Sequence, residues 1–312
     1  MMFAVRGFMV ALGFFGVVYC LLSLLVVCVW RCVRLFCRNY IGGRAPLLFA
    51  LRIFPLAGAV CMTLAFALPA FLRLESGAID EDMGTLLFSG CTLLFVAAGL
   101  FRVMSARAGT SRIVAEWLEG AHALDAGASG TTLQTKPGQP PLLLYGFLAP
   151  KVLVSETAVG LLSPDELKVA VRHEIGHMRS RDNLKKMILH GAPFPGMASL
   201  EQAWQEAAEF AADEAAIANS HDAIDLAAAL IKLCDLAPLQ DPPVFTTGLV
   251  NLTALVEVRV ERLLAWDEIS TPPRQGLWLW SLPAVLITVA YTVAHYSQAL
   301  SFTHRATEWF IH

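Results

Sequence analysis

The sequence predicts a mainly α-helical integral membrane protein: four transmembrane helices, with a water-soluble α+β domain between the third and the fourth. Three observations predict it. Of 312 residues, 56% are hydrophobic and only 16% charged, where a soluble domain carries about 25% charged residues. The apolar excess is concentrated in four runs without a charged side chain: Phe8–Trp30, Ile53–Leu72, Met83–Phe101 and Gly276–Ala294. Most of the charge, 14 Lys and Arg and 21 Asp and Glu, falls instead in residues 103–275. This composition excludes a disordered chain, a collagen-like repeat and a small disulfide scaffold, and argues against an ordinary soluble enzyme. A net charge of −3 gives no general attraction for nucleic acid, so direct nucleic-acid binding is not expected.

Each run is long enough to span. At about 1.5 Å per residue, a helix over 8–30 reaches about 34 Å, against a bilayer hydrocarbon core of about 30 Å. Spans are therefore expected at about 8–30, 53–72, 83–101 and 276–296. Trp30, Trp278 and Trp280 sit at their ends, where aromatic rings favour the interface. The first run is too long for a signal-peptide core and has no small-x-small cleavage site after it, so it reads as a retained anchor. Residues 31–44 hold Arg31, Arg34, Arg38 and Arg44 and no acid, whereas residues 73–82 hold one arginine and four acids. Arg102, Arg107 and Arg112 follow the third run. Positive loops stay in the cytoplasm. The N-terminus is thus expected outside, the 103–275 domain in the cytoplasm, and the tail of the 276–312 segment outside. The seven cysteines form no C-x-x-C pair, and their odd number argues against a disulfide framework.

Within 103–275, residues 108–122 read as an amphipathic helix. Thr131–Gln134, Leu142–Phe147 and Lys151–Val154 read as short strands, separated by Gly and Pro. The 142–147 strand could align an extended substrate by strand addition. Ser163-Pro164-Asp165-Glu166 is a strong helix start: an N-cap serine, a first-turn proline and a glutamate three residues on. That helix should run past Arg179. Further helices are expected at about 200–218, 223–235 and 252–266, with Pro193 and Pro195 breaking the chain before them.

The capped helix carries His173-Glu174-Ile175-Gly176-His177, an H-E-x-x-H sequence. Residues i and i+4 share a helix face, so both imidazoles can reach one Zn²⁺ ion. Glu174 then stands beside the metal without ligating it and can take a proton from a water that the metal activates. A chain of this composition yields about 0.01 such matches by chance. A catalytic zinc needs a third protein ligand. Glu209 on the next long helix is the chosen candidate, with Glu206 one turn earlier and Glu214 on another face as competitors. Asp213, one turn beyond Glu209, could hydrogen-bond a ligand imidazole. His122, His190 and His221 read as surface or packing residues, although His221 could meet an oxyanion. No role is expected for His295, His304 or His312.

His173–His177 followed by Arg181-Asp182-Asn183-Leu184, together with Glu209–Asp213, Pro150–Ser155 and Arg259–Leu264, resembles the BlaR/MecR-type integral membrane zinc metallopeptidases. These are gluzincins, and the E-x-x-x-D helix is shared with HtpX-type and CAAX-prenyl-protease-type enzymes. The resemblance covers roughly residues 140–265. It implies a zincin-like cytoplasmic domain and one Zn²⁺ held by His173, His177 and Glu209, with Glu174 as the catalytic base. The arrangement of three spans before the domain and one after it suits BlaR/MecR rather than HtpX, which typically has two ahead of the motif. In the antibiotic sensors the fourth span leads to an external penicillin-binding domain with an S-x-x-K serine. The residues after the fourth run contain no lysine, so that sensor domain is expected to be lacking.

The expectation is a zinc endopeptidase of a bacterial inner membrane, acting on cytoplasmic or membrane proteins in regulated proteolysis or signal transduction. Its partners would be the lipid bilayer and a protein substrate, such as a cytoplasmic repressor. An HtpX-like quality-control protease is the alternative within the enzyme class. A non-proteolytic metal-binding sensor or scaffold is the alternative outside it, and the intact His173, Glu174, His177, Glu209 set argues against that. A transporter is disfavoured because the four runs hold no acid or base.

Overall fold

The computed structural model describes residues 2–36, 45–74, 83–124, 132–236, 243–247, 249, 255–266 and 295–311. The chain divides into two compact units. One comprises Met1–Phe36, Ala50–Ala98 and Pro272–His312; the other comprises Cys37–Phe49 and Gly99–Thr271.

The first unit is built from apolar helices. α1 covers Met2–Phe36 and α2 covers Ala45–Met62. A π-helical turn at Thr63–Ala67 leads into α3, Leu68–Leu74. α4 runs over Met83–Leu118. Among the described residues, three segments are long and apolar enough to cross a membrane: Phe3–Leu35, Ala45–Arg73 and Met83–Leu118. The expected fourth span, 276–296, lies almost wholly outside the described residues, and the chain is helical again over Tyr296–Ile311 (α11). Small residues let α1 and α4 approach: a Cβ added at Gly16 would fall 2.0 Å from Thr92 Oγ1.

Two expectations change here. The helix that carries the second apolar run starts earlier than that run, at Ala45, because nothing in Ala45–Arg52 opposes a helix and Arg52 finds partners. Arg52 is fully buried and hydrogen-bonds with Tyr19, which also contacts Ser23; the spans are therefore not free of ionisable groups. Residues 108–118, expected as a separate helix, continue the third span without a break. Neither Gly99 nor Gly109 interrupts α4, because a glycine inside a helix costs only about 1 kcal/mol.

The second unit is a small mixed sheet between helices. Its strands are β1 (His122–Ala123), β2 (Thr132–Thr135), β3 (Leu142–Tyr145), β4 (Lys151–Ser155) and β5 (Thr246–Thr247). Their spatial order is β1-β2-β4-β3-β5. Only β2 and β4 are parallel, with Thr132 opposite Val152. β3 runs antiparallel to β4, with Leu143 opposite Leu153, and β5 antiparallel to β3, with Leu144 opposite Thr247. Side chains alternate across a strand, so each of the central strands feeds two cores. Leu142, Leu144, Val152 and Val154 face the large core; Leu143 and Leu153 face a second cluster with Val114 of α4. A substrate strand cannot add to β3 along Leu144–Tyr145, since β5 already occupies that edge. The strand addition expected for 142–147 is thereby closed over those two residues.

Among the described residues, six further helices complete the unit. α5 is Glu156–Leu161, α6 Pro164–Ser180, α7 Asp182–Gly191, α8 Ala198–Ala216, α9 Ser220–Cys234 and α10 Val256–Leu264. The start of α6 is the expected capping box: Glu166 N–H donates to Ser163 Oγ at 3.2 Å, and Ser163 N–H donates to Glu166 Oε2 at 2.8 Å. Lys232 of α9 closes on the same carboxylate at 2.7 Å. α6 then lies across the sheet, and its Val169, Ala170 and Val171 join the large core with Leu226, Leu230 and Leu233 of α9.

Candidate metal centre

Two packing decisions place the site. The first is the approach of α8 to α6. At Gly176, an added Cβ would lie 3.3 Å from Ala212 Cα, so the glycine within the H-E-x-x-H sequence lets the two backbones nearly touch. Ala212 sits between Glu209 and Asp213, and this close approach brings both acids onto the histidine face. The second is the end of α6. Arg181 adopts a left-handed conformation, φ 55° and ψ 39°, and α7 starts in a new direction immediately after it. This brings Asp182 back against the helix it has just left.

The resulting cluster is buried. His173 and Glu174 are fully buried, with His177 at 1% and Glu209 at 4% exposure. His173 Nε2 lies 3.2 Å from His177 Nε2 and 3.5 Å from Glu209 Oε2. His177 Nε2 lies 3.6 Å from Glu209 Oε1. One ligand atom from each of the three residues falls within 4.8 Å of the other two. The outer ring nitrogens are engaged by carboxylates: His173 Nδ1 lies 2.9 Å from Asp213 Oδ1, and His177 Nδ1 lies 2.8 Å from Asp182 Oδ2. With Nδ1 protonated and held by a carboxylate, Nε2 keeps its lone pair for a metal. The set fits a divalent ion well: two imidazole nitrogens and a carboxylate converge, the ligand atoms of all three residues lying close to one another. Ligands of this type in this number are those of a Zn²⁺ site with an open position.

Arg259 of α10 supports the cluster from behind. It is 1% exposed, and its Nε and Nη2 donate to the two oxygens of Asp213 at 2.8 and 2.6 Å. Its Nη1 donates to Leu249 O at 2.7 Å and lies 3.0 Å from Glu209 Oε2. Asp182 is steadied in the same way by Lys185, at 2.8 Å.

These contacts decide the charges. Burial opposes ionisation of Glu209, but the His177 and Arg259 charges outweigh it and hold the carboxyl well below its ordinary range. Burial likewise opposes charge on Asp213 and Asp182, and Arg259 and His177 respectively hold them low. His177 resists protonation through burial, yet Glu209 and Asp182 push it up to about 10. His173 is also raised, burial being outweighed by its bonds to Asp213 and Glu209. Glu174 behaves oppositely: burial raises it, with the two histidines pulling back. Both its oxygens lack a hydrogen-bond partner among the described residues. A buried carboxyl so placed is suited to accepting and returning a proton.

A cavity of about 230 Å³ opens beside His177 and Glu209, between α7, α8 and residues 243–247. Lys186 and Trp204 line it. Lys186 Nζ donates to Thr246 O at 2.9 Å, and burial pushes its ammonium below the ordinary lysine range, against the pull of Glu209 and Asp182.

All five residues singled out from the sequence, His173, Glu174, His177, Glu209 and Asp213, meet here. The competitors do not: Glu206 accepts from Gln202 at 2.9 Å on the outer face of α8, and Glu214 pairs with Arg262. His122 and His221 are exposed, and His190 stands edge-on to Phe245 at 5.5 Å in the cavity wall. Asp182, Asn183 and Arg259 received no individual role from the sequence. Asn183 is a strut: its Nδ2 donates to Leu144 O at 3.1 Å and its Oδ1 accepts from Thr247 Oγ1 at 2.6 Å, tying α7 to β3 and β5. A buried-type carboxylate five residues past His177 could have been suspected, but only the turn at Arg181 makes it useful.

No curated protein matches the chain. Residues 136–234 match the family model described as Peptidase family M48. The stretch carries His173, Glu174, His177, Glu209 and Asp213, and the match supports the M48 metallopeptidase family for this part of the chain.

Proposed function

We propose that the chain is a membrane-anchored zinc endopeptidase of the BlaR/MecR type, with its zincin-like domain on the cytoplasmic face of a bacterial inner membrane. The convergence of His173, His177 and Glu209, with Glu174 beside them and without a hydrogen-bond partner among the described residues, carries this reading. His173, His177 and Glu209 would hold the metal, which when bound polarises a scissile carbonyl and acidifies water. Glu174 accepts the proton of the attacking water and delivers one to the departing amine. Asp213 and Asp182 keep the imidazoles oriented, and Arg259 balances the two carboxylates facing it. Burial excludes bulk water from the proton path.

Glu174→Gln in the full-length protein tests this. Proteolysis should fall by at least about 100-fold, the ordinary contribution of a general base, while zinc content stays at the wild-type level. Retained proteolysis would refute the assignment. The substrate follows from comparing cells that carry the active and the Glu174→Gln protein. Accumulation of one DNA-binding repressor supports regulated proteolysis; accumulation of many membrane proteins points instead to quality control.

A further inference from the structure

The cavity beside the metal ligands has a wall that the hydrolytic machinery leaves unused. At about 230 Å³ it is smaller than the roughly 300–1,000 Å³ of a small-molecule site and suits a single side chain. Lys186 lines it half-buried, bonded to the Thr246 carbonyl, with no carboxylate in ion-pair contact among the described residues. Trp204 lines it at 1% exposure. Its ring is packed against Phe49, centroids 5.8 Å apart, and its indole N–H has no acceptor among the described residues. An ammonium that no carboxylate contacts directly and a buried donor without an acceptor, both judged among the described residues, each cost free energy. One incoming group relieves both: a side chain carrying a carboxylate.

The acids already on the wall do not serve. Asp182 is engaged by His177 and Lys185, and Glu209 faces the imidazoles and Arg259. Glu201 is charge-coupled to His190, on which Arg102 also acts. We propose that this cavity is the specificity pocket for a residue flanking the scissile bond, and that Lys186 and Trp204 make it select Asp or Glu. The proposal rests on the peptidase reading.

The test uses the full-length, zinc-loaded protein and a fluorogenic peptide series varied only at the two positions flanking the cleaved bond. At one of them, kcat/KM for Glu should exceed that for Leu by at least about tenfold, since an unmet polar pocket discriminates against apolar residues. Lys186→Glu should invert the preference toward Lys and Arg. Trp204→Phe keeps an aromatic ring, though a smaller one, removes the N–H, and should lower the Glu-to-Leu ratio about threefold. A merely structural role would lower both peptides together and leave the ratios unmoved. If Lys186→Glu loses zinc, Lys186→Met and Trp204→Phe carry the same comparison. An apolar preference in the wild type, or unchanged ratios in zinc-retaining variants, overturns the pocket alone. Absence of cleavage of every peptide overturns the peptidase reading and the pocket with it.

Discussion

Replacing Arg259 by Met keeps much of the side-chain volume and removes the charge. The structure shows what is left behind. Asp213 and Glu209, each 4% exposed, lose a guanidinium that held them at 2.6–2.8 Å and 3.0 Å respectively, and Leu249 O loses its donor. Removing one partner of a buried ion pair costs about 3–5 kcal/mol, out of a total stability of about 5–15 kcal/mol for a domain. The metal-free domain should therefore be strongly destabilised. Metal binding returns a positive charge to Glu209 but not to Asp213, which holds the Nδ1 side of His173. Zinc affinity should accordingly fall about 10- to 100-fold, the usual effect of a lost supporting contact. Chemical denaturation of the full-length protein in detergent, with and without zinc, measures the first quantity; competition with a calibrated chelator measures the second. Asp213→Asn in the Arg259→Met background should recover part of the loss, because the stranded carboxylate is gone. A cost below about 1 kcal/mol in the metal-free protein, with zinc affinity unchanged, would refute the reasoning, since it would mean that Arg259 is not the counter-charge of the site.

Three further outcomes follow from the same geometry. His177 in the metal-free protein is held up to about 10 and must be neutral to ligate, so metal uptake releases protons; apparent zinc affinity should rise with pH by at least about tenfold per pH unit between about pH 6 and 8, and a flat titration would contradict it. The sign for metal-free stability is the reverse: a raised histidine stabilises fully below its unfolded value of about 6.5 and loses that contribution as pH rises through its folded value. Gly176→Val should cost about 1–3 kcal/mol through overpacking, because a Cβ there already meets Ala212 Cα at 3.3 Å; it should also pull Glu209 off the histidines, seen as loss of stoichiometric zinc in the purified protein. Ser163→Ala removes one half of the capping box and should lower stability by about 1 kcal/mol without changing zinc content, as denaturation and metal analysis would show.

The fold was legible where the signal is local. Charge-free runs announce membrane helices because a buried charge is costly in lipid, and Ser163-Pro164-Asp165-Glu166 announces α6 because each residue satisfies a helix-end requirement. Illegible features depend on distant partners. Arg52 reads as the edge of a span until Tyr19 and Ser23 enclose it. The two residues of β5 have no pattern of their own; they become a strand because Asn183 and Lys186 hold Thr247 and Thr246 beside β3. That contact also takes up the Leu144–Tyr145 part of the β3 edge that an isolated reading of Leu142–Phe147 offers to a substrate.

The site divides along the same line. His173, Glu174 and His177 are readable because helix geometry alone puts i and i+4 on one face. Glu209 and Asp213 are readable one step further, since they repeat that spacing on a second helix. Asp182 and Arg259 are not. A helix continued through Arg181 would carry position 182 about 140° around from His177, at about 100° per residue, and arginine gives no hint of the left-handed conformation that reverses it. Arg259 is 50 residues beyond Glu209 in the chain, on a helix whose pattern of alternating charge, Glu257-Val258-Arg259-Val260-Glu261-Arg262, looks like a solvated surface. Its burial follows from the charge it neutralises. Two carboxylates brought together to serve two imidazoles create a deficit of positive charge at their backs, and only a side chain long enough to cross from α10 can fill it. The sequence shows which residues make that deficit; the fold supplies the one that answers it.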